Sequence, residues 1–241
     1  LMKERKIDAY LVPTDDFHAS EYVGDYFKCR KYITGFTGSA GTAVIMQDMA
    51  GLWTDGRYFL QAADQLEGST IQLFKMGEPE VPTVHQFLAD KLEKGMCLGF
   101  DGRTVTAKEA GELEELLREK EITFSVNDDL IGEIWSDRPA LSCEPVMELD
   151  VKWAGESRAD KIAKIRKQMK ENKADIFVLT SLDDIAWFLN IRGNDVHCCP
   201  VVLSYLVMTD KELRLFVNET VFSEEIRANL EADGVEIYPY D

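Results

Sequence analysis

Lys6-Ile-Asp-Ala-Tyr-Leu-Val-Pro-Thr-Asp-Asp16 has a close counterpart in Lys173-Ala-Asp-Ile-Phe-Val-Leu-Thr-Ser-Leu-Asp-Asp184. Each stretch has the pattern of a polar helix end, a buried strand and then a pair of aspartates. The likeness continues through a glycine-containing turn into an apolar strand, Ala43–Met46 or Tyr205–Met208. Because an internal repeat of this length is a fold signal, we predict two related α/β domains in tandem.

The predicted boundary between the domains lies in the segment 139–156, where prolines interrupt the helical and strand periodicity. Ser157-Arg-Ala-Asp160 then opens a helix with a capping pattern. We assign residues 1–138 to the first domain, 139–156 to a linker and 157–241 to the second domain. The second domain stops soon after its third strand, so we expect it to be truncated and the chain to be part of a longer protein.

Hydrophobic periodicity predicts a group of strands and helices in the first domain. The strand candidates are Ala9–Val12, Ala43–Met46, Gly51–Thr54, Ile71–Phe74 and Cys97–Phe100. Helices are predicted over Tyr58–Leu66 and Val84–Leu92, and after a capping box at Thr106-Ala-Lys-Glu109. Between Asp15 and Tyr32 the first domain carries an insertion that the second domain lacks.

The composition is that of a globular protein, with 241 residues, 45% hydrophobic residues and a formal charge of −17. Such a negative charge repels phosphate backbones and anionic lipid, so we expect neither nucleic acid nor a membrane as partner. No apolar stretch is long enough to span a bilayer, and we expect a cytoplasmic location. The five cysteines have no metal-type spacing, and we predict that they are reduced thiols.

The sequence offers little for chemistry within the chain itself. Three histidines, His18, His85 and His197, lie far apart in the sequence, so we expect no metal site and no catalytic residue. The abundant acidic residues leave a carboxylate-rich site open. The pairs Asp15/Asp16 and Asp183/Asp184 favour turn or helix capping over a metal or acid–base role. The glycine-rich segment 35–42 favours a turn over a phosphate site, since it has no Walker lysine and leads into a strand. Ser39 and Ser181 have no evident partner for nucleophilic catalysis.

Arg57 is the strongest candidate for a ligand contact. In Trp53-Thr-Asp-Gly-Arg-Tyr58 a strand ends in a tight turn, which places Arg57 at a strand end where ligands often meet a sheet. The second repeat has Thr220 at this position, so the fold does not require arginine there. Contact with a ligand, a salt bridge with Asp55 or another acid, and simple exposure are all open. His18, in the insertion, is a weaker substrate-binding candidate and a surface or interface position is its alternative.

Several motifs together resemble the N-terminal half of the three-domain Xaa-Pro aminopeptidases (aminopeptidase P), which are similar to prolidases and creatinases. The resemblance covers essentially the whole chain. It is carried by His18-Ala-Ser-Glu-Tyr22, Thr34-Gly-Phe-Thr-Gly-Ser-Ala-Gly-Thr42, Leu52-Trp-Thr-Asp-Gly-Arg-Tyr-Phe-Leu-Gln-Ala62, Ile134-Trp-Ser-Asp-Arg-Pro139 and Asp184-Ile-Ala-Trp-Phe-Leu-Asn-Ile-Arg-Gly-Asn-Asp195.

The resemblance implies two creatinase N-terminal-type domains, each a mixed sheet flanked by helices, that shape a cleft and support a homodimer. It implies a cytosolic metallopeptidase that removes the residue preceding proline from a peptide. The family's two metal ions, usually manganese, are held on a C-terminal domain that this chain lacks, so the chain alone is expected to be inactive and to bind no cofactor. By the family's pattern, the arginine of Asp-Gly-Arg, here Arg57, reaches the peptide substrate.

One stretch departs from the family's pattern. After Asp195 the family tends to be polar, whereas Val196-His-Cys-Cys-Pro200 places a vicinal thiol pair there. The alternative to the peptidase interpretation is a self-standing ligand-binding or oligomerisation module with no hydrolytic activity.

Overall fold

The computed structural model describes residues 1–240. The chain forms two compact units, of which unit 1 is Leu1–Pro139 and unit 2 begins at Ala140. Within residues 1–240, no helix combines the length and the apolar character that a bilayer span requires.

Unit 1 is built around a six-stranded mixed sheet in the order β4-β3-β2-β1-β5-β6. Only β2 runs antiparallel to its neighbours, β1 and β3. The strands are β1 (Ala9–Pro13), β2 (Thr42–Met46), β3 (Ala50–Thr54), β4 (Ile71–Lys75), β5 (Cys97–Gly99) and β6 (Thr123–Ser125). The helices are α1 (Met2–Arg5), α2 (Cys29–Thr34), α3 (Phe59–Gln65), α4 (Val84–Lys91), α5 (Ala107–Leu117) and α6 (Leu130–Ile134), with short 3-10 turns at Asp25–Phe27 and Arg118–Lys120.

Helices cover both faces of the unit 1 sheet because both faces of its central strands are apolar. On one face, α4 and α5 pack over Leu11, Val44 and the stacked rings of Trp53 and Phe74, whose centroids are 4.0 Å apart. On the other face, α2, α3 and α6 pack over side chains that alternate with these along the strands. The central strand β1 is therefore buried on both sides.

Capping fixes where α4 and α5 begin. Thr106 accepts a hydrogen bond from the Glu109 amide, as the sequence predicts, but the return bond from the Glu109 side chain is not among the hydrogen bonds of residues 1–240. The complete reciprocal box is at Thr83, whose amide donates to the Gln86 side chain while its hydroxyl accepts from the Gln86 amide. The sequence-based prediction of α4 does not include this capping box.

Unit 2 repeats the plan with a four-stranded sheet in the order β12-β11-β10-β8 and a two-stranded sheet of β7 and β9. Its strands are β7 (Met147–Glu148), β8 (Phe177–Leu179), β9 (Ile191–Arg192), β10 (Ser204–Met208), β11 (Leu213–Val217) and β12 (Glu236–Tyr238). Its helices are α7 (Val151–Ala154), α8 (Arg158–Asn172), α9 (Leu182–Leu189) and α10 (Glu224–Ala232), with a 3-10 turn at Glu219–Val221.

A buried arginine joins the elements of unit 2. Arg158, at the start of α8, pairs with Glu148 on β7 and with Asp233 after α10, the latter at 2.8 Å. Its Nε also donates to the carbonyl of Leu189 at 2.8 Å. Because one guanidinium carries all these bonds, β7 and the ends of α9 and α10 are held to the same point.

The strands predicted in both repeats are confirmed, as are the helices after Tyr58, Thr83, Thr106 and Ser157. The structure also has elements that the sequence did not predict, among them β6 and α6 in unit 1. The segment 139–156, assigned to a linker, contains β7 and α7. A short strand of two residues gives no periodicity from which it could be recognised.

Candidate functional site

The candidate residues of unit 1 lie at one edge of its sheet. Strands β1 and β3 both run antiparallel to β2, so their carboxyl ends meet at the same edge. Asp15, Asp16 and His18 follow β1, and Arg57 follows β3. The structure thus brings both predicted substrate-binding residues to the carboxyl edge of one sheet, although β2 separates their strands.

Arg57 is exposed and paired with the first residue of its own turn. Its amide donates to Oδ1 of Asp55 at 3.0 Å, and its Nε and Nη2 donate to the two carboxylate oxygens at 2.9 and 2.8 Å. This hydrogen bond from the guanidinium is the main reason that the pKa of Asp55 is lowered and the pKa of Arg57 is raised. The side chain of Arg57 remains 62% exposed.

The same turn recurs after β5, in Asp101-Gly-Arg103, a stretch that the sequence-based predictions do not include. The Arg103 amide, Nε and Nη2 bind Asp101 at 3.0, 3.0 and 2.9 Å, matching the bonds of Arg57. In unit 2 the turn recurs after β11, where the Thr220 amide donates to Oδ1 of Asn218 at 3.1 Å. The turn itself therefore needs Asp or Asn at its first position and does not need arginine at its third.

Arg103 differs from Arg57 in what else it contacts. The guanidinium carbon of Arg103 lies 4.6 Å from the centre of the Phe17 ring, and its Nη2 lies 3.6 Å from Asp129. Among residues 1–240, the aromatic ring nearest the Arg57 guanidinium is that of Tyr58, which is more distant at 5.2 Å. Arg103 thus helps to hold the insertion, whereas much of Arg57 faces solvent.

Arg138 anchors the same insertion from the end of unit 1. Its Nε donates to the Tyr26 carbonyl at 2.9 Å, and its guanidinium carbon lies 3.7 Å from the centre of the Tyr26 ring. Its Nη1 binds Asp129 at 2.5 Å. Arg103 and Arg138 therefore converge on one carboxylate while each stacks on an aromatic ring of the insertion.

Asp16 and His18 shape the start of the insertion. Oδ1 of Asp16 accepts from the amides of His18 and Ser20 at 2.8 and 3.0 Å, which is the capping role predicted for this aspartate. The side chain of His18 is buried, so the alternative of a surface position is wrong.

The insertion is also linked electrostatically to Arg57. The exposed Glu21 contributes to the raised pKa of Arg57, after the larger contributions of Asp55 and Tyr58.

Arg30 binds the backbone of the glycine-rich segment 35–42 from the buried side. No pattern in the sequence indicated this role. Arg30 is buried, and its Nη1 and Nη2 donate to the carbonyls of Phe36, at 2.5 Å, and Gly38. Its Nε donates to Thr14 at 2.9 Å. Burial lowers the pKa of Arg30 to about 10. The carbonyl groups of Phe36 and Gly38 thus point at the guanidinium of Arg30. This agrees with the prediction that the segment forms a turn.

Gly38 has no room for a side chain. An added Cβ would lie 2.3 Å from Cζ of Phe36 and 2.8 Å from Cδ1 of Tyr58. Next to it, the hydroxyls of Ser39 and Tyr58 are 2.7 Å apart. The segment is therefore packed closely onto the turn that carries Arg57.

Asp15, at the same edge, has a pKa well above that of an ordinary carboxyl group. Loss of solvation on burial raises its pKa from the ordinary 3.8 to about 6. Nearby acids, Asp16 and Glu109, add to the effect, while the Asp16 amide opposes it. Its counterpart in unit 2, Asp183, is exposed in the first turn of α9.

The other residues considered as candidates, in unit 2, have structural roles or lie in turns. The Ser181 hydroxyl accepts from the Asp184 amide at 3.4 Å and begins α9. Cys198 is exposed with φ at 61°, at a turn closed by pairing of Val196 with Cys199. Within residues 1–240, no group of three or more His, Cys, Asp or Glu side chains is arranged to hold a metal ion.

Sequence profiles of the creatinase/prolidase N-terminal domain match the chain twice, over residues 1–131 and 137–241. The chain belongs to the creatinase/prolidase N-terminal domain family. This confirms the predicted fold class of two consecutive domains, each a mixed sheet flanked by helices. It also confirms the resemblance on which the sequence interpretation rested.

The relatives are Xaa-Pro aminopeptidases. The chain is 42% identical over 98% of its length to aminopeptidase P2 of Arabidopsis thaliana and 39% identical over its whole length to a probable Xaa-Pro aminopeptidase P of Neurospora crassa. It spans 33% and 36% of the length of these two proteins. It also matches 38% of the crystal structure of X-prolyl aminopeptidase from Caenorhabditis elegans, described as a cytosolic enzyme with a di-nuclear active site, at 38% identity and a TM-score of 0.92 over 97% of this chain.

Replacing Arg30 by methionine should destabilise unit 1 by about 2–4 kcal/mol, because the carbonyls of Phe36 and Gly38 would lose a charged donor in a buried site. Hydrogen exchange of the β2 amides measures this loss. Lys31→Met, at the exposed neighbouring position, should leave the exchange within about 0.5 kcal/mol of wild type. Equal effects of the two changes would contradict the role given to Arg30.

Asp15 should make unit 1 less stable as the pH rises from about 4 to 7. In the folded state the pKa of Asp15 is about 6, above its ordinary value of 3.8. Between these two values the folded state keeps the proton that the unfolded chain releases, so the stability of unit 1 falls as the pH rises. Asp15→Asn should therefore stabilise unit 1 increasingly over this range, by less than about 2 kcal/mol since the site is partly solvated. Hydrogen exchange of β1 amides at matched pH measures the difference. Asp183→Asn is the control, and a pH-independent difference for Asp15→Asn would refute the assignment.

Proposed function

We propose that the chain is the N-terminal, non-catalytic part of an Xaa-Pro aminopeptidase, a metallopeptidase that releases the first residue of a peptide with proline in second position. The observation that carries this proposal is the match to the Caenorhabditis elegans X-prolyl aminopeptidase over 97% of this chain at 38% identity. Because the chain spans about a third of its relatives, the activity belongs to the longer protein.

Arg57 is proposed to contact the peptide substrate in that protein. In unit 2 the same turn forms with Thr220 at its third position. After β5 the third residue is Arg103, whose guanidinium contacts the Phe17 ring. Folding of the turn therefore does not account for an exposed arginine at Arg57. The pair with Asp55 orients the guanidinium and uses Nε and Nη2, which leaves Nη1 for a peptide carbonyl or carboxylate. His18 is proposed to affect substrate binding by holding the shape of the insertion, since its side chain is buried.

The metal chemistry is proposed to lie outside this chain. The described residues hold no suitable ligand group, so they do not fit the two metal ions, expected to be manganese, that the family uses. The role left to this chain is to shape the substrate cleft and to support a homodimer. We also propose that the protein is cytosolic, as the Caenorhabditis elegans enzyme is.

Arg57→Ala in the longer protein should lower kcat/KM for an Xaa-Pro peptide about tenfold to a hundredfold, equivalent to about 1–3 kcal/mol for a charge-assisted contact. Arg103→Ala is the matched control, because it removes an arginine from an identical turn at the same sheet edge, where its side chain is 53% exposed. It should change kcat/KM less than Arg57→Ala does. Unchanged kinetics for Arg57→Ala would return Arg57 to a structural role.

Residues 1–241 alone should release no amino acid from an Xaa-Pro peptide when manganese is added, because no described group of side chains can hold the ion. The measurement is the release of the N-terminal residue with and without a chelator. Turnover that requires manganese and disappears with the chelator would show that the catalytic site lies within this chain after all.

A further inference from the structure

Unit 2 carries an extra loop directly before β10. In unit 1 only residues 39–41 separate Gly38 from β2, whereas in unit 2 residues 194–203 separate Gly193, the counterpart of Gly38 in the repeat, from β10. Since unit 1 forms its equivalent strand without such a loop, the fold does not require the additional residues. The loop carries the chain's only pair of adjacent cysteines.

The base of this loop is buried and held by hydrogen bonds. The carboxylate of Asp195 accepts from the Leu203 amide at 2.7 Å and from the Glu144 amide at 3.3 Å. Asp195 is buried, as are Val196 and Val201, which flank the cysteines. The loop is therefore fixed at its base, and its tip reaches solvent.

The cysteine pair lies at the tip of the loop. The amide of Cys199 donates to the carbonyl of Val196 at 3.0 Å and closes a tight turn, residues 196–199, which we call the thiol turn. Cys198 is exposed and has a φ of 61°, a backbone conformation that residues other than glycine seldom adopt. Cys199 is half-buried. The thiol turn thus presents one thiol to solvent and carries a second on the next residue.

The other cysteines of the chain are placed differently. Cys29 and Cys97, in unit 1, pack against a buried apolar cluster. Burial raises the pKa of Cys29 to about 11, so little of it is thiolate at neutral pH. Cys143, in unit 2, is exposed but has no cysteine next to it in the chain. Cys198 therefore combines exposure with an adjacent second thiol, an arrangement that favours reversible oxidation.

We propose that Cys198 and Cys199 form a reversible oxidation site, at which a hydroperoxide converts the two thiols into a disulfide between the adjacent residues. The Cys198 sulfur first attacks the peroxide, so that an S–O bond forms, the O–O bond breaks and an alcohol leaves, or water when the oxidant is hydrogen peroxide. The Cys199 sulfur then attacks the sulfenic acid at Cys198, so that the S–S bond forms, the S–O bond breaks and water leaves. The proton of each thiol goes to the leaving oxygen, and the two electrons lost by the sulfurs reduce the peroxide.

A disulfide between adjacent residues is easily reduced. The Cα atoms of such residues are about 3.8 Å apart, less than the roughly 4.4–6.8 Å of an ordinary disulfide. The resulting strain favours reduction, so two molecules of a thiol such as glutathione would restore both cysteines and leave as one disulfide. A transient disulfide is compatible with the prediction that the cysteines are thiols at rest. The inference goes beyond the proposed function and does not depend on it.

Mass spectrometry of the longer protein tests the proposal. The protein is treated with hydrogen peroxide, unfolded in an alkylating reagent that caps every remaining thiol, and digested with trypsin, which releases Cys198 and Cys199 together in residues 193–211. The uncapped peptide, lighter than the dithiol by two hydrogen atoms, should increase about tenfold or more. It should disappear when glutathione is added before the alkylating reagent. In the same digest Cys97, in residues 95–103, should stay capped.

Two variants and three contrary results make the test specific. Cys198→Ser should abolish the uncapped peptide, because the Cys199 thiol then has no adjacent partner. Cys143→Ser removes an exposed cysteine of the same unit and should leave the uncapped peptide within about twofold of wild type. Capping of both cysteines after peroxide treatment, sulfinic acid at Cys198 without the disulfide, or a disulfide between Cys198 and Cys143 would each overturn the proposal.

Discussion

A buried guanidinium organises the candidate site. Arg30 lies under the glycine-rich segment and binds its carbonyls and Thr14 from one planar group, which a lysine could not do with the same geometry. The segment therefore turns its carbonyls inward and presses Gly38 onto Phe36 and Tyr58. Since Tyr58 directly follows Arg57, the position of Arg57 depends on the buried cation of Arg30.

In unit 2 two buried cations, Arg158 and Lys161, bind backbone carbonyls in a similar way. Arg158 binds the carbonyl of Leu189 at the end of α9, and the buried Lys161 binds the carbonyl of Trp187 and the side chain of Asn190 at 2.6 Å each. Burial is the main cause that lowers the pKa of Lys161. In unit 1 the buried cation satisfies carbonyls that follow the end of α2, and in unit 2 the buried cations satisfy carbonyls in the last turn of α9. In both places the chain would otherwise leave acceptors unpaired.

The two units share the same turn after their strands and differ in the side chain that the turn presents. The same Asx-type turn follows β3, β5 and β11, yet its third residue is an exposed arginine after β3, an arginine stacked on Phe17 after β5 and a threonine after β11. The turn and its first residue are therefore explained by folding alone, whereas the exposed arginine at Arg57 is not.

The sequence by itself determined the repeat, the strands that carry it and the position of Arg57 at a strand end, because alternating apolar residues and Asp-Gly turns are local signals. Several features were decided only by the tertiary structure: the role of Arg30, the burial of His18, and the convergence of Arg103 and Arg138 on Asp129. These contacts join residues far apart in the chain. Short elements such as β7 and β9 also escaped prediction, since two residues form a strand only when a distant partner supplies the hydrogen bonds.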